Sequence, residues 1–337
     1  MNKDKYMNIK RIIFISTLIS TLLSAQEASK YYASIESGFA NIAFVKNHFF
    51  ASRGERNYER KSNLNTDFDI ANGNSFAVTF GTNFPLTFAG ANSMKIYTKV
   101  WHMAAKASSS SNFKDNGPNE QYGWIMLDNS KGVGTITTNN VLKTNIEQDL
   151  KYWGADILFS LEYTLGEDAY FSIFAGPSYR SNHKDTNIKG NFMGDSPTVN
   201  LKEKISENLF GAKLGINYNL KFKKKWLLNM DFAISQYRKF ATYKGAYTHY
   251  FAPNYTNINR KLSDTQSSSG VDLGIQVGYK LTKQTYISIY ANYNYLSNVT
   301  QVSYGSSLQT DPTASVLSLV NDKQFSSVHG LKLNYMF

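Results

Sequence analysis

FSSVHGLKLNYMF, residues 325–337, is the stretch whose reading decides the fold. Leu331, Leu333, Tyr335 and Phe337 fall on one parity; Gly330, Lys332, Asn334 and Met336 fall on the other. Side chains alternate across a strand, so this spacing predicts a strand with one apolar face and one mixed polar face.

Nine further segments repeat the pattern: 30–44, 72–86, 92–106, 148–165, 169–180, 206–221, 226–240, 270–281 and 285–296. In 148–165 the stripe runs through Trp153, Ala155, Ile157, Phe159, Leu161, Tyr163 and Leu165. Every segment reaches the ~9–11 residues that a tilted strand needs to cross a bilayer. The predicted connections alternate in length. Long ones fall at 45–71, 107–147, 181–205, 241–267 and 298–324, short ones at 87–91, 166–168, 222–225 and 282–284. A soluble sandwich has no reason to sort its loops this way.

Charge is sorted as well. The parity opposite the apolar stripe holds Glu36, Lys95, Lys99, Asp156, Glu162, Lys213, Asp231, Asp272, Lys280 and Lys332, whereas Lys151 and Arg238 on the apolar parity fall at predicted strand ends. A charge facing lipid at mid-depth costs roughly 2–4 kcal/mol, so a membrane barrel must keep such groups inside.

Together with Tyr335 and Phe337, this organisation resembles the bacterial outer-membrane β-barrel proteins. The resemblance implies an all-β fold, a transmembrane up-and-down antiparallel barrel of about 10 strands, with long extracellular loops and short periplasmic turns. It implies that Tyr335 and Phe337 form an assembly signal read by the barrel assembly machinery. In the loop 107–147, residues 122–127 and 132–138 read as a hairpin above the membrane, or as two more strands of a 12-stranded barrel.

Residues 1–25 read as a signal peptide. Lys3, Lys5, Lys10 and Arg11 precede an apolar run from Ile12 to Leu23, and Ser24 and Ala25 make a small-residue exit. Residues 26–337 are then the barrel, exported to the outer membrane. Removing the leader takes four positive charges and one negative with it, and lowers the net charge from +11 to +8. With 23 Tyr and 22 Phe against 6 Pro, the aromatic load suits interface girdles. Cysteine is absent, so no disulfide framework is expected.

The ten inward charges are five acidic and five basic. Balanced charge fits a plug of paired groups in a narrow barrel, and rings of one sign would instead make a selective constriction. Lys332 is expected beside Glu36 across the closing seam, and Lys95 and Lys99 beside Asp156 and Glu162. Arg53, Arg56, Arg60 and Lys61 in the first loop could clamp lipopolysaccharide phosphates. Of the five histidines, none sits in an Asp-His dipeptide or a His-x-Ser arrangement; HExxH and GxSxG motifs are absent. No cofactor, metal or nucleic-acid site is expected.

The function expected from the sequence is a narrow porin-like channel for small solutes. The alternative is a surface-exposed structural or adhesin-type barrel with a closed lumen, its host or surface ligand unnamed; behind both stands an outer-membrane hydrolase. Outer-membrane lipid and lipopolysaccharide are the expected partners.

Overall fold

A computed structural model describes residues 30–43, 51–54, 70–85, 90–113, 121–126, 134–138, 142–192, 198–251, 254–303 and 317–337. The expected signal peptide, 1–25, lies outside these residues, as do Arg56, Arg60 and Lys61.

In chain order the strands are β1 (Lys30–Ala43), β2 (Ala51–Gly54), β3 (Ile70–Phe84), β4 (Ser93–Phe113), β5 (Gln121–Met126), β6 (Gly134–Thr138) and β7 (Leu142–Thr164). There follow β8 (Ala169–Phe192), β9 (Thr198–Phe222), β10 (Trp226–Phe251), β11 (Asn254–Lys280), β12 (Thr285–Ser303) and β13 (Ser318–Met336). Ten of these close into a barrel in the order β1-β13-β12-β11-β10-β9-β8-β7-β4-β3, and β2, β5 and β6 form a separate three-stranded sheet. All described pairings are antiparallel, and the seam closes from Tyr32↔Met336 to Ile42↔Ser326. The hairpin reading of the second loop therefore holds, and the 12-stranded alternative does not. Residues 121–126 and 134–138 pair with each other, and 121–126 also with β2, not with the barrel wall.

Below mid-height the outward parity is an apolar belt. Ile35, Phe80, Ile157, Ile216, Ile275 and Ile289 are all exposed; Ile289 is 69% accessible. Aromatic pairs bound the belt at both ends. At the short-turn end, Tyr163 stacks on Phe171 at 4.9 Å and Trp226 meets Tyr279 at 5.1 Å. At the other end, Tyr179 joins Trp153 at 4.8 Å and Phe210 at 4.7 Å. On β7 these girdles stand about ten residues apart, a rise of ~25 Å once strand tilt is counted, which matches the apolar height of a membrane barrel. Large apolar side chains exposed in a continuous band would be untenable in water.

Above the upper girdle the apolar parity changes sides. Ile42 on β1, Met103 on β4, Leu150 on β7, Ile188 on β8, Leu201 and Ile205 on β9, and Tyr243 and Tyr247 on β10 all point inward and are buried. Their outward neighbours are exposed and charged: Lys106, Lys151, Lys204 and Lys244. Lipid outside and polar lumen inside give way to water outside and an interior where buried apolar side chains alternate with buried polar and charged ones such as Gln148, Glu203, Glu207 and Lys239.

This switch corrects two predicted loops. Residues 181–205 and 241–267 are almost wholly strand, so β8 to β11 run 24, 25, 26 and 27 residues. Lys151 and Arg238 accordingly lie within strands, near the upper edge of the belt, and not at strand ends. Strands β4 and β7 to β11, at 21 to 27 residues, make a wall about twice as tall as a bilayer crossing requires.

Candidate functional site

The lumen divides into a cavity below and a plug above. The cavity holds about 740 Å³ and reaches from the short turns at Gly166, Glu167 and Gln284 up to Trp101, Arg180 and Tyr237. Nine of the ten sequence-predicted lumen charges line it; Lys280 lies at the lower rim, its ammonium 5.8 Å from the Tyr286 ring.

Most of these charges pair within this space; Asp231 lines it without an ion pair among the described residues. Glu36 on β1 holds Lys332 at 3.0 Å across the seam and Lys99 at 2.9 Å from β4. Lys213 on β9 bridges Asp156 at 2.9 Å and Asp272 at 3.1 Å. Lys95 pairs with Glu162. One expected partnership changes: Lys99 and Asp156 are register neighbours, yet Lys99 turns to Glu36 over the intervening β3, and Asp156 is taken by Lys213 over the intervening β8 and by the Ser178 hydroxyl at 2.5 Å. Inward side chains converge in a narrow barrel, so a long lysine reaches over one strand to the next, and pairing follows three-dimensional reach and not strand adjacency.

Above the cavity, β12 leaves the wall. It pairs with β11 only from Lys280↔Tyr286 up to Gly270↔Leu296. A register shift between Leu296 and Val299, with Asn298 at φ 54°, then carries it inward, still paired with β13 from Val299↔Asp322 to Ser303↔Ser318. Val299, Thr300, Gln301 and Val302 are buried in succession. A wall strand buries alternate residues, so four in a row mean that both faces are covered. The top of this hairpin lies inside the trough formed by the tall wall.

Its contacts are with the opposite strands. The Thr300 amide donates to Glu207 Oε1 on β9 at 2.7 Å. Lys239 on β10 donates to Thr300 Oγ1 at 2.7 Å, and also to the Asn298 carbonyl and Asn321 Oδ1. Gln324 Nε2 donates to the Tyr152 hydroxyl on β7 at 2.8 Å. Lys239 and Glu207 lie 3.6 Å apart with side chains 0% and 2% exposed. A buried pair survives only when further hydrogen bonds satisfy both partners, and this one has them, with Asn182 Nδ2 on Glu207 at 3.0 Å. Leu209, Tyr237, Leu296 and Val299 pack into one apolar cluster beside it.

Sequence reasoning missed Lys239, Glu207, Asn182 and Arg180 because it placed them at or beyond strand ends. The alternation itself continues through them: Ser178, Arg180, Asn182, Lys184, Thr186 and Ile188 share one parity. Of the remaining predicted sites, Arg53 lies in β2, and Tyr335 and Phe337 face outward at the lower rim with rings 4.9 Å apart. The Phe337 amide donates to the Tyr31 carbonyl at 2.9 Å and so completes the seam. His102, His183 and His329 lie on the outward parity.

No protein-family model matches this chain, and no curated protein matches it either. Among solved structures it is similar to the outer membrane protease OmpT from Escherichia coli, with 12% identity and a TM-score of 0.45 over 91% of this chain and 97% of that one. The Pseudomonas putida toluene transporter TodX gives 9% identity and 0.32 over 92% and 90%. A major outer membrane protein from Thermus thermophilus gives 11% and 0.31 over 92% and 100%. At these values nothing about function follows. The barrel rests on the strand pairing, and its membrane setting on the belt and girdles.

Proposed function

We propose that this protein is a closed-lumen barrel of the outer membrane that presents the tall wall of β4 and β7–β11 at the cell surface, a reading placed ahead of the narrow porin-like channel expected from the sequence. The observation that carries this reading is the inward hairpin of β12 and β13, buried on both faces and tied to β7, β9 and β10. A solute path through the lumen would have to pass that hairpin and the apolar residues packed around it. The interleaved and mostly paired charges below it support the same reading, since they fill space and leave no ring of one sign.

The wall above the belt is wet on its outer side and carries Lys202, Lys204, Lys244 and Lys261, which suits a surface-exposed structural or adhesive role. Lipid, lipopolysaccharide included, is the partner for the belt and its upper rim, and Tyr335 and Phe337 keep their role in assembly. A hydrolase is the least supported reading, because no Asp-His, His-x-Ser, HExxH or GxSxG arrangement supports it in the sequence.

The chain has no cysteine, so single cysteines report topology cleanly. Lys244→Cys should react with a membrane-impermeant maleimide on intact cells. Asn229→Cys, in the cavity, should react only after the outer membrane is opened. Equal labelling of both on intact cells would contradict the closed lumen.

A further inference from the structure

The roof of the cavity carries a buried cation without a carboxylate. Arg180 on β8 is 8% exposed and lines the cavity, and none of its ion-pair distances falls within reach of an Asp or Glu among the described residues. Lys95, Lys99, Lys213, Lys239 and Lys332 each have one. The Arg180 guanidinium donates through Nη2 to Asn294 Oδ1 at 2.9 Å, while its buried Nε finds no acceptor among the described residues. Its counter-charge is indirect: Asn294 Nδ2 donates to Asp272, a carboxylate that Lys213 already holds in direct contact, so the guanidinium has no carboxylate of its own and is left with donor capacity for a partner that arrives.

The site is built to hold the group still. Trp101, Gly154 and Arg180 are register partners on β4, β7 and β8. Gly154 leaves room for the indole, since a Cβ there would stand 2.6 Å from the ring. Trp101 thus lies across β7 and meets the Arg180 guanidinium at 4.9 Å from its ring centroid. Stacking covers one face of the guanidinium plane and fixes its orientation, leaving the donor edge to bind. Asp272, whose charge would repel an anion, is engaged by Lys213 at 3.1 Å.

We propose that the roof of this cavity is a binding site for a small solute carrying an oxyanion, a carboxylate or a phosphate, held by Arg180 against Trp101. A planar guanidinium with free N–H groups is matched in geometry to such oxygens. The hairpin closes the top, so the solute enters between the short turns, and this direction of entry rests on the closed-lumen reading. The volume of about 740 Å³ suits a small polar molecule, with Asn217, Asn229 and Tyr286 lining the way up.

The test uses the full barrel in detergent. Inorganic phosphate and acetate are titrated separately against Trp fluorescence, with chloride at matched ionic strength as the blank. One or both oxyanions should give a saturable change that chloride does not. Trp101→Phe should abolish that change while calorimetry still detects binding. Arg180→Gln should weaken binding at least about tenfold, the loss expected for a charge-assisted hydrogen bond, and Arg180→Lys should fall between. Phosphate saturating alone assigns a phosphorylated solute, and acetate alone a carboxylate. Should Arg180→Gln not fold, Arg180→Lys carries the comparison. No saturable change from either anion, equal response to chloride, or affinity unaltered in the Arg180 variants would overturn the proposal. Failure of the closed lumen would show separately, as ionic current through the wild-type barrel.

Discussion

Lys332 Nζ lies 3.0 Å from Glu36 Oε1, and the two residues are register partners on the strands that close the barrel. Glu36 also accepts from Lys99 at 2.9 Å, so one carboxylate serves two strands. Glu36→Gln should therefore cost about 3 kcal/mol, since it leaves two cations in a poorly solvated lumen, and Lys332→Gln only about 1 kcal/mol. In a double-mutant cycle on unfolding free energy the pair should couple; strictly additive effects would mean that the contact contributes nothing to closure.

The belt sets a depth-dependent tolerance. Ile289→Lys, on the outward face of β12, should destabilise the barrel in bilayers by ~2–4 kcal/mol. Lys244→Ile, above the upper girdle, should change stability little. Refolding into lipid vesicles under urea compares them. Similar costs for both would remove the membrane assignment of the belt.

Lys239 and Glu207 latch the inward hairpin. Breaking the pair from either side, with Lys239→Met or Glu207→Gln, strands a buried charge or its hydrogen-bonding partners and should cost ~3–5 kcal/mol, with the double change recovering part of it. Val302→Cys, buried within the hairpin, should gain thiol reactivity in the Lys239→Met background. Unchanged protection at Val302→Cys would show that the hairpin is held by its apolar contacts alone.

Phe337 caps the seam at the lower rim through its amide bond to Tyr31 and its ring contact with Tyr335. Phe337→Ser should lower the amount of heat-modifiable barrel in the outer membrane without blocking export. Wild-type levels would leave the assembly role of this residue without support.

The belt, the strand count and the inward set of charges were legible in the sequence because lipid imposes one rule on every strand. The closing contact between Glu36 and Lys332 was legible for the same reason, since it joins neighbours. The upper barrel was not. There Ile188, Leu201, Ile205 and Tyr243 take the opposite parity to Ile173, Leu214 and Phe232 on the same strands, and a search for one continuous stripe stops at the crossover. Lys99 pairing with Glu36 over the intervening β3, and the inward turn of β12 at Asn298, depend on contacts beyond the neighbouring strand that no local spacing encodes.

The most direct test of the closed lumen is single-channel recording in planar bilayers, with insertion verified independently. The wild-type protein should pass no steady current, and the Lys239→Met variant, its hairpin released, should show openings. Stable conductance from the wild-type barrel, unchanged in that variant, would contradict the account and return the lumen to a porin-like path.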